Sequence, residues 1–428
     1  MKWAYLKMPA LCLPGLMPEG GAQNHSNSSL TSTFSKLGTE NTLNPYPGRG
    51  PPSIFAWPWL FQQKILVAAQ NDSLRRCQMT RHRMIHAVLL AFLLLFLGAG
   101  TSFSQEIKLT PEYYTVKNFK LKSGAVIEDL KMEYATLGNP NKDAQGNITN
   151  AVVFCHGFSG NYTQIMLLKA VVGPGKPFDT DKYFFVLPTA IGSPGSSCPS
   201  VSGSGPKFPK YNVADMIEAQ YLLVTQHLKI KHLAGVAGAS MGGFQTLQWI
   251  TMYPGFMDWA IPIAAAPDAL GRLLGRSAVL IDTIKLDPEY KDGYYKEQPK
   301  KGMEVYFMSA YLWYFGHDYY GQQWKTREEL LKGLKDVGLG SAKADANDTI
   351  WREEALMSFD VTSQLPSVKV RTLVIGINDD ELFPPSSIKR IAQGIPGAQL
   401  FSYDSILGHL GCALDLQKAG KAITDFLK

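Results

Sequence analysis

Cysteine is scarce in this chain. Its five cysteines, Cys12, Cys77, Cys155, Cys198 and Cys412, show neither C-x-x-C nor any other metal-type spacing. That excludes a disulfide scaffold or a zinc-type site as the organising principle. Only Cys155, Cys198 and Cys412 fall in the body of the protein, so at most one disulfide can close there. Charge is also low. Charged residues make up 18% of the chain and the net charge is +6, part of it at Arg75, Arg76, Arg81 and Arg83 near the N-terminus. No basic patch for nucleic acid follows from that. No metal cluster and no nucleotide-binding loop is visible, and the chemistry argued below needs no cofactor. The apolar run from Ile85 to Gly98 is too short to favour a stable membrane span.

What is present divides the 428 residues unevenly. So long a chain exceeds one compact core of ordinary size, which predicts two domains or a tail plus one large domain. Residues 1–78 are polar and rich in Ser, Asn, Gly and Pro, apart from an aromatic cluster at residues 55–61. No periodic pattern there is long enough to build an element, so disorder is expected. Residues 79–104 join a basic start (Arg81, Arg83), an apolar middle and a small-residue end, the three parts of a secretory signal peptide. The expected start is then Met79 or Met84, with residues 1–78 an upstream extension and cleavage near Ser104/Gln105. Were residues 1–78 retained, the same segment would serve as a signal anchor. Either route places the body outside the cytoplasm, secreted or periplasmic.

From residue 105 onward, strand and helix signals alternate. Residues 114–121 and 126–137, turned at Ser123-Gly124, predict a hairpin. The buried strand at 151–155 runs into His156-Gly157-Phe158-Ser159-Gly160. A strand at 183–187 and a Gly/Ser/Pro-rich loop from 192 to 210 lead to a helix capped by Asn212. Strands follow at 233–237, 259–265, 368–377 and 399–403, and residues 413–427 close as one helix. Between 266 and 366 the pattern changes to helices dense in Tyr, Trp and Phe. This predicts an α/β sheet core in two parts, 105–265 and 367–428, with residues 266–366 inserted as a helical cap. The cap aromatics are expected mostly in its core, some lining an acyl pocket over Ser240.

Ser240 is the organising residue. Gly238-Ala239-Ser240-Met241-Gly242 matches G-x-S-x-G, whose small residues let the backbone take a strained turn that lifts the hydroxyl above the sheet edge. The plain alternative is a Gly-rich strand-to-helix turn with an ordinary N-cap serine. Context favours the nucleophile: an acidic cluster, Asp379-Asp380-Glu381, follows one later strand, and His409 follows the last. Serine, acid and histidine in that order are the triad order of α/β-hydrolases. His409 would accept the Ser240 proton and Asp380 would hold the imidazole tautomer. Asp379 is the rival orienter, because only one of two adjacent residues can face the histidine from a strand end. The oxyanion donors expected are the N–H groups of Met241 and Phe158. His156 is expected to orient its loop rather than act as base.

These residues resemble the homoserine O-acetyltransferase family of α/β-hydrolases. The likeness spans roughly residue 119 to the C-terminus. It rests on Asp179-Thr-Asp-Lys-Tyr-Phe184, Lys207-Phe-Pro209 with Asp215-Met-Ile-Glu-Ala-Gln220, Ala239-Ser-Met-Gly-Gly-Phe-Gln245 with Trp249, Asp287-Pro288, and Asp380 followed by Leu382-Phe383-Pro384. The resemblance implies Ser240 as nucleophile, His409 as base and Asp380, two residues before Leu-Phe-Pro, as orienter. It also implies acyl transfer from acetyl-CoA to homoserine, and a homodimer through the cap. This chain departs from the family at the substrate. Leu410 stands where the acetyltransferases carry an acid after the histidine, and Ile281 where they carry an arginine ahead of Asp-Pro; Arg276 is nearby in another register. Without those charges a buried zwitterion would be unpaired, at a cost of several kcal/mol, on the order of a lost polar contact or more.

The expectation is therefore a serine acyl-transfer enzyme that hydrolyses a small-molecule ester or thioester. The alternative is an O-acyltransferase acting on homoserine or another alcohol. A catalytically dead binding module would have lost a triad member or an elbow glycine, and all are present. Asn147-Ile-Thr149 and Asn161-Tyr-Thr163 fit the glycosylation pattern, which matters only in a eukaryotic secretory route.

Overall fold

The computed structural model describes residues 109–341 and 343–428. The expected extension and signal segment, residues 1–104, lie outside them. No helix among the described residues is long and apolar enough to cross a membrane.

An eight-stranded sheet runs through the chain in the order β1-β2-β4-β3-β5-β6-β7-β8. Strands β1 (Glu112–Lys120) and β2 (Val126–Leu137) form the predicted hairpin, and β2 also pairs antiparallel with β4 (Phe184–Pro188). From there the sheet is parallel through β3 (Ala151–Cys155), β5 (Leu233–Ala239), β6 (Met257–Ile263), β7 (Arg371–Ile377) and β8 (Gln399–Tyr403). Strands β3 and β4 are buried at every position, as parallel strands covered on both faces must be, which explains their unbroken apolar sequence. Side-chain alternation splits β3 and its neighbour β5 between two cores. Val153 and Val236 pack on one face with Phe244 and Trp249, whereas Val152, Phe154 and Ala237 pack on the other with Ile261 and Ile375.

Helix α1 (Val213–Leu222) starts at Asn212 as expected. The Asn212 side chain accepts from the Asp215 N–H at 3.0 Å, and the Asp215 carboxylate accepts from the Asn212 N–H at 3.0 Å, a reciprocal cap. Helix α2 (Met241–Met252) follows β5 directly. Between β6 and β7 lie five helices: α3 (Arg272–Lys285), α4 (Lys300–Tyr311), α5 (His317–Gln323), α6 (Arg327–Ser341) and α7 (Ala346–Met357). Tyr306 and Phe307 on α4 and Trp351 on α7 are buried there with Ile281 and Ile284 of α3. Helix α8 (Pro385–Gly394) connects β7 to β8. The C-terminal segment corrects the sequence expectation of one helix over 413–427. It is broken into α9 (Gly411–Leu414), a 3-10 turn at Leu416–Ala419, and α10 (Gly420–Phe426). At the break, Asp415 leaves helical geometry and accepts hydrogen bonds from the Ser405 hydroxyl and Lys418, a local alternative to helix continuation.

Candidate active site

The turn from β5 to α2 carries its strain at one residue. Ser240 has φ 61° and ψ −123°, outside the regions an L-residue ordinarily visits. Its N–H donates to the Ile263 carbonyl of β6 at 2.9 Å, which pins the turn to the sheet. Glycine at 242 is needed for a different reason. A Cβ there would fall on the Cys155 carbonyl at the end of β3, so only a bare backbone lets α2 start this close to the neighbouring strand.

His409 reaches Ser240 from the far side of the sheet edge. Its Nε2 lies 2.8 Å from Ser240 Oγ and its Nδ1 lies 2.8 Å from Asp380 Oδ2. The other Asp380 oxygen accepts from the Leu382 and Phe383 N–H groups, each at 2.8 Å. Asp380 is 2% exposed and His409 is 4% exposed, whereas Ser240 is partly open. The rival acid is used elsewhere: Asp379 is exposed and accepts from the Ser405 N–H at 2.7 Å, shaping the loop that carries the histidine. The cap fastens that loop. Leu410 N–H donates to the Tyr314 carbonyl and Gly316 N–H to the Ile406 carbonyl, while the Tyr314 ring lies 6.0 Å from the imidazole.

The loop after β3 is held from below. Ala190 N–H donates to His156 Nε2 at 2.9 Å, so the ring proton sits on Nδ1, 2.7 Å from the Gly157 carbonyl oxygen. Both ring nitrogens are engaged and neither serves Ser240. Burial, joined by the nearby Arg352 charge, pushes the His156 pKa down to about 4, so the ring is neutral at ordinary pH. Two glutamines complete the support: Gln164, which lies in no motif, and Gln245, which ends the Ala239–Gln245 stretch without any sign there of its partners. The Gln164 side chain accepts from the Gly157 N–H. Gln245 on α2 donates to the His156 carbonyl at 3.0 Å and accepts from Gln220, whose own oxygen accepts from Trp249 Nε1. Only the packing of α1 against α2 reveals that network, because no local spacing marks it.

A cavity of about 450 Å³, its open mouth included, adjoins Ser240. It is lined mostly by apolar residues, Phe154, Ile165, Leu168, Leu187, Cys412 and Ala413, with His156, Asn161 and Gln164 on the side of the segment after β3. The cap aromatics expected to line such a pocket do not border this cavity; Tyr306 and Phe307 are turned into the cap interior. Ile281 is likewise buried in cap packing, and Arg276 is buried against Glu353 at 3.6 Å. Cys155, Cys198 and Cys412 are all buried and free, and burial holds each thiol above its ordinary pKa.

The alpha/beta hydrolase fold family matches residues 150–406. A homoserine O-acetyltransferase of Trichormus variabilis is 30% identical over 344 residues, 74% of this chain and 93% of its own length. The chain belongs to the homoserine O-acetyltransferase-like α/β-hydrolases. Another member, a probable acyltransferase of Methanothermobacter thermautotrophicus, is 34% identical over 321 residues, 75% of this chain and 98% of its own. Among solved structures, an acetylester hydrolase from Corynebacterium glutamicum is 26% identical with a TM-score of 0.67, covering 74% of this chain and 96% of that one. This α/β-hydrolase is thus an enzyme whose relatives include both acyltransferases and esterases.

Proposed function

We propose that the chain is a serine acyl-transfer enzyme that hydrolyses a small-molecule carboxylic ester or thioester. The observation that carries this reading is the unbroken hydrogen-bonded line from Asp380 through His409 to Ser240. With the imidazole proton held on Nδ1 by Asp380, the Nε2 lone pair faces the Ser240 hydroxyl and accepts its proton as Oγ attacks the carbonyl carbon. Negative charge then gathers on the carbonyl oxygen. Met241 N–H, in the first turn of α2 and without an intrahelical acceptor, is one donor for it. Gly157 N–H is taken by Gln164, which leaves Phe158 N–H as the second. His409 returns the proton to the leaving alcohol or thiol, and water, activated by the same base, releases the acid.

Water is favoured over homoserine as the second acceptor by the charge around the site. Leu410 and Ile281 offer nothing to an ammonium or carboxylate, and Arg276 is engaged by Glu353. The apolar lining next to Ser240 suits a short uncharged acyl group. The second reading, O-acyl transfer to an alcohol, is favoured by the activities named for the two relatives that are 30% and 34% identical. One experiment separates the two. A short-chain activated ester is supplied with and without homoserine or a simple alcohol, and free acid and acylated acceptor are quantified separately. Free acid is expected to dominate whatever the acceptor, with a loss in Ser240→Ala on the order of 10⁴-fold or more. Acylated acceptor forming at the expense of acid would establish transfer. We further propose that residues 79–104 export the enzyme; an N-terminus found near residue 105 in the mature protein would support this, and retention of residues 1–104 in the cytoplasm would refute it.

A further inference from the structure

Arg352 stands on α7, the last helix of the cap, and is 5% exposed. A charge buried that deeply is ordinarily paired. Among the described residues no carboxylate comes within ion-pair reach of this one. Its Nε has no partner, and one Nη reaches only the Ser193 hydroxyl, at 3.5 Å. The acid one helical turn earlier, Asp348, spends its oxygens on the Ser200 N–H at 2.9 Å and the Ser200 hydroxyl at 2.6 Å. The buried Tyr211 hydroxyl, close enough to feel the Arg352 charge, has no partner either. What Arg352 does touch is the oxyanion loop: its guanidinium lies 5.0 Å from the centre of the Phe158 ring. Its field reaches the base of that loop as well, where it opposes protonation of His156. Asp348, Tyr211 and His156 all feel its charge, and Cys198 and Glu354 adjoin the same group.

We propose that Arg352 is a positioning residue of the oxyanion hole, a guanidinium carried by the cap that clamps Phe158 and gives its loop a positive potential. The inference rests on the acyl-transfer reading above. Arg352 makes and breaks no bond. It acts through Phe158, whose N–H meets the oxygen on which charge develops, and a fixed cation behind the loop favours the charged transition state over the neutral ester. It also makes the hole depend on α7, so the cap contributes to the chemical step and not only to enclosure. The competing explanation is that Arg352 merely ties the loop around Ser193 to the cap. That role would alter folding and every substrate alike, without preference for a negatively charged intermediate.

The test uses the full chain, a short-chain activated ester, and a trifluoromethyl ketone with the same acyl group. Ser240 Oγ adds to the ketone carbonyl and His409 takes the hydroxyl proton, which leaves a hemiketal oxyanion in the hole. Arg352→Gln is expected to lower kcat about tenfold or more with KM changed less than about threefold, and to weaken the ketone in parallel with kcat/KM. Arg352→Lys, which keeps the charge, is expected to recover part of both. Phe158→Ala should lose a similar amount, and the double variant no more than either single one, since the two act as a unit. The proposal is overturned by wild-type kcat in folded Arg352→Gln, by ketone affinity that holds while kcat falls, or by additive losses in the double variant. Should Arg352→Gln not fold, ketone affinity in Arg352→Lys and Phe158→Ala decides alone: a loss in Arg352→Lys accompanied by at least as large a loss in Phe158→Ala supports it, and any other result overturns it. Activity surviving in Ser240→Ala would instead remove the acyl-transfer reading itself, an outcome distinct from wild-type behaviour of the Arg352 variants.

Discussion

Two adjacent aspartates show how one residue step separates contact with the histidine from support of its loop. Asp380 points at His409 with one oxygen and is fixed by two backbone N–H groups through the other, whereas Asp379 holds the backbone of the histidine loop. Asp380→Asn is expected to lower kcat by about 10⁴, through the wrong imidazole tautomer. Asp379→Asn is expected to cost about 1 kcal/mol of stability with kcat reduced less than about tenfold; steady-state kinetics beside urea unfolding distinguish the two, and equal losses in kcat would sink the assignment. His156 makes a pH prediction at the same scale. Its folded-state pKa is pushed from an ordinary 6.5 to about 4 by burial and by Arg352. Between those values the unfolded chain binds a proton that the native state refuses. Its contribution to stability is therefore full above about pH 6.5 and falls as pH drops toward 4, by about 3 kcal/mol in all. Urea midpoints across that range should show a flatter acid limb for His156→Gln than for the wild type.

At the scale of elements, the site depends on how closely α2 begins beside β3. Gly242→Ala would push a methyl group onto the Cys155 carbonyl, one residue before His156 and the loop after β3. Overpacking of this kind costs about 1–3 kcal/mol, and the displaced strand end should lower kcat as well, since the Phe158 N–H moves with it. An alanine variant that is destabilised but retains full kcat would show that the loop is positioned independently of the elbow.

For the molecule as a whole, the cap is more than a lid of aromatic side chains, because it contains a buried ion pair. Arg276 and Glu353 lie 3.6 Å apart with side chains 6% and 4% exposed. The Glu353 oxygens also accept from the Ser277 hydroxyl at 2.7 Å and the Tyr306 hydroxyl at 2.6 Å. Glu353→Leu alone is expected to cost about 3–5 kcal/mol, because Arg276 is left buried and unpaired. Replacing both, with Arg276→Met, should return stability to near the wild-type value. Thermal unfolding of the three variants checks this; a double variant as unstable as the single one would show that the cap needs the charge pair itself. The Arg276 guanidinium also lies 5.9 Å from the centre of the Tyr314 ring, which in turn faces His409, so loss of the pair should disturb activity along with stability.

The features governed by local chemistry were legible before any coordinates. A fully buried parallel strand must be apolar throughout, which marked β3, β4 and β5. A glycine-flanked serine between a strand and a helix marked the elbow, and the positions of Asp380 and His409 just past strand ends marked their side of the sheet. Asp379 and Asp380 could be ranked but not separated, because their difference lies in which carboxylate turns toward a histidine 29 residues away. The broken C-terminal helix was missed because Asp415 finds its partner in Ser405, across the histidine loop. Arg352 and Gln164 carry no motif, and Gln245 ends one that does not show its partners; their contacts arise only where helices meet the loop after β3. Sequence by itself determined where the strands fall along the chain and which residues are the candidates for nucleophile, acid and base, since backbone preference and burial act over a few residues. Which polar groups share the buried space around them was decided by the tertiary structure, because burial of a guanidinium or an amide is tolerated only where distant segments converge on it.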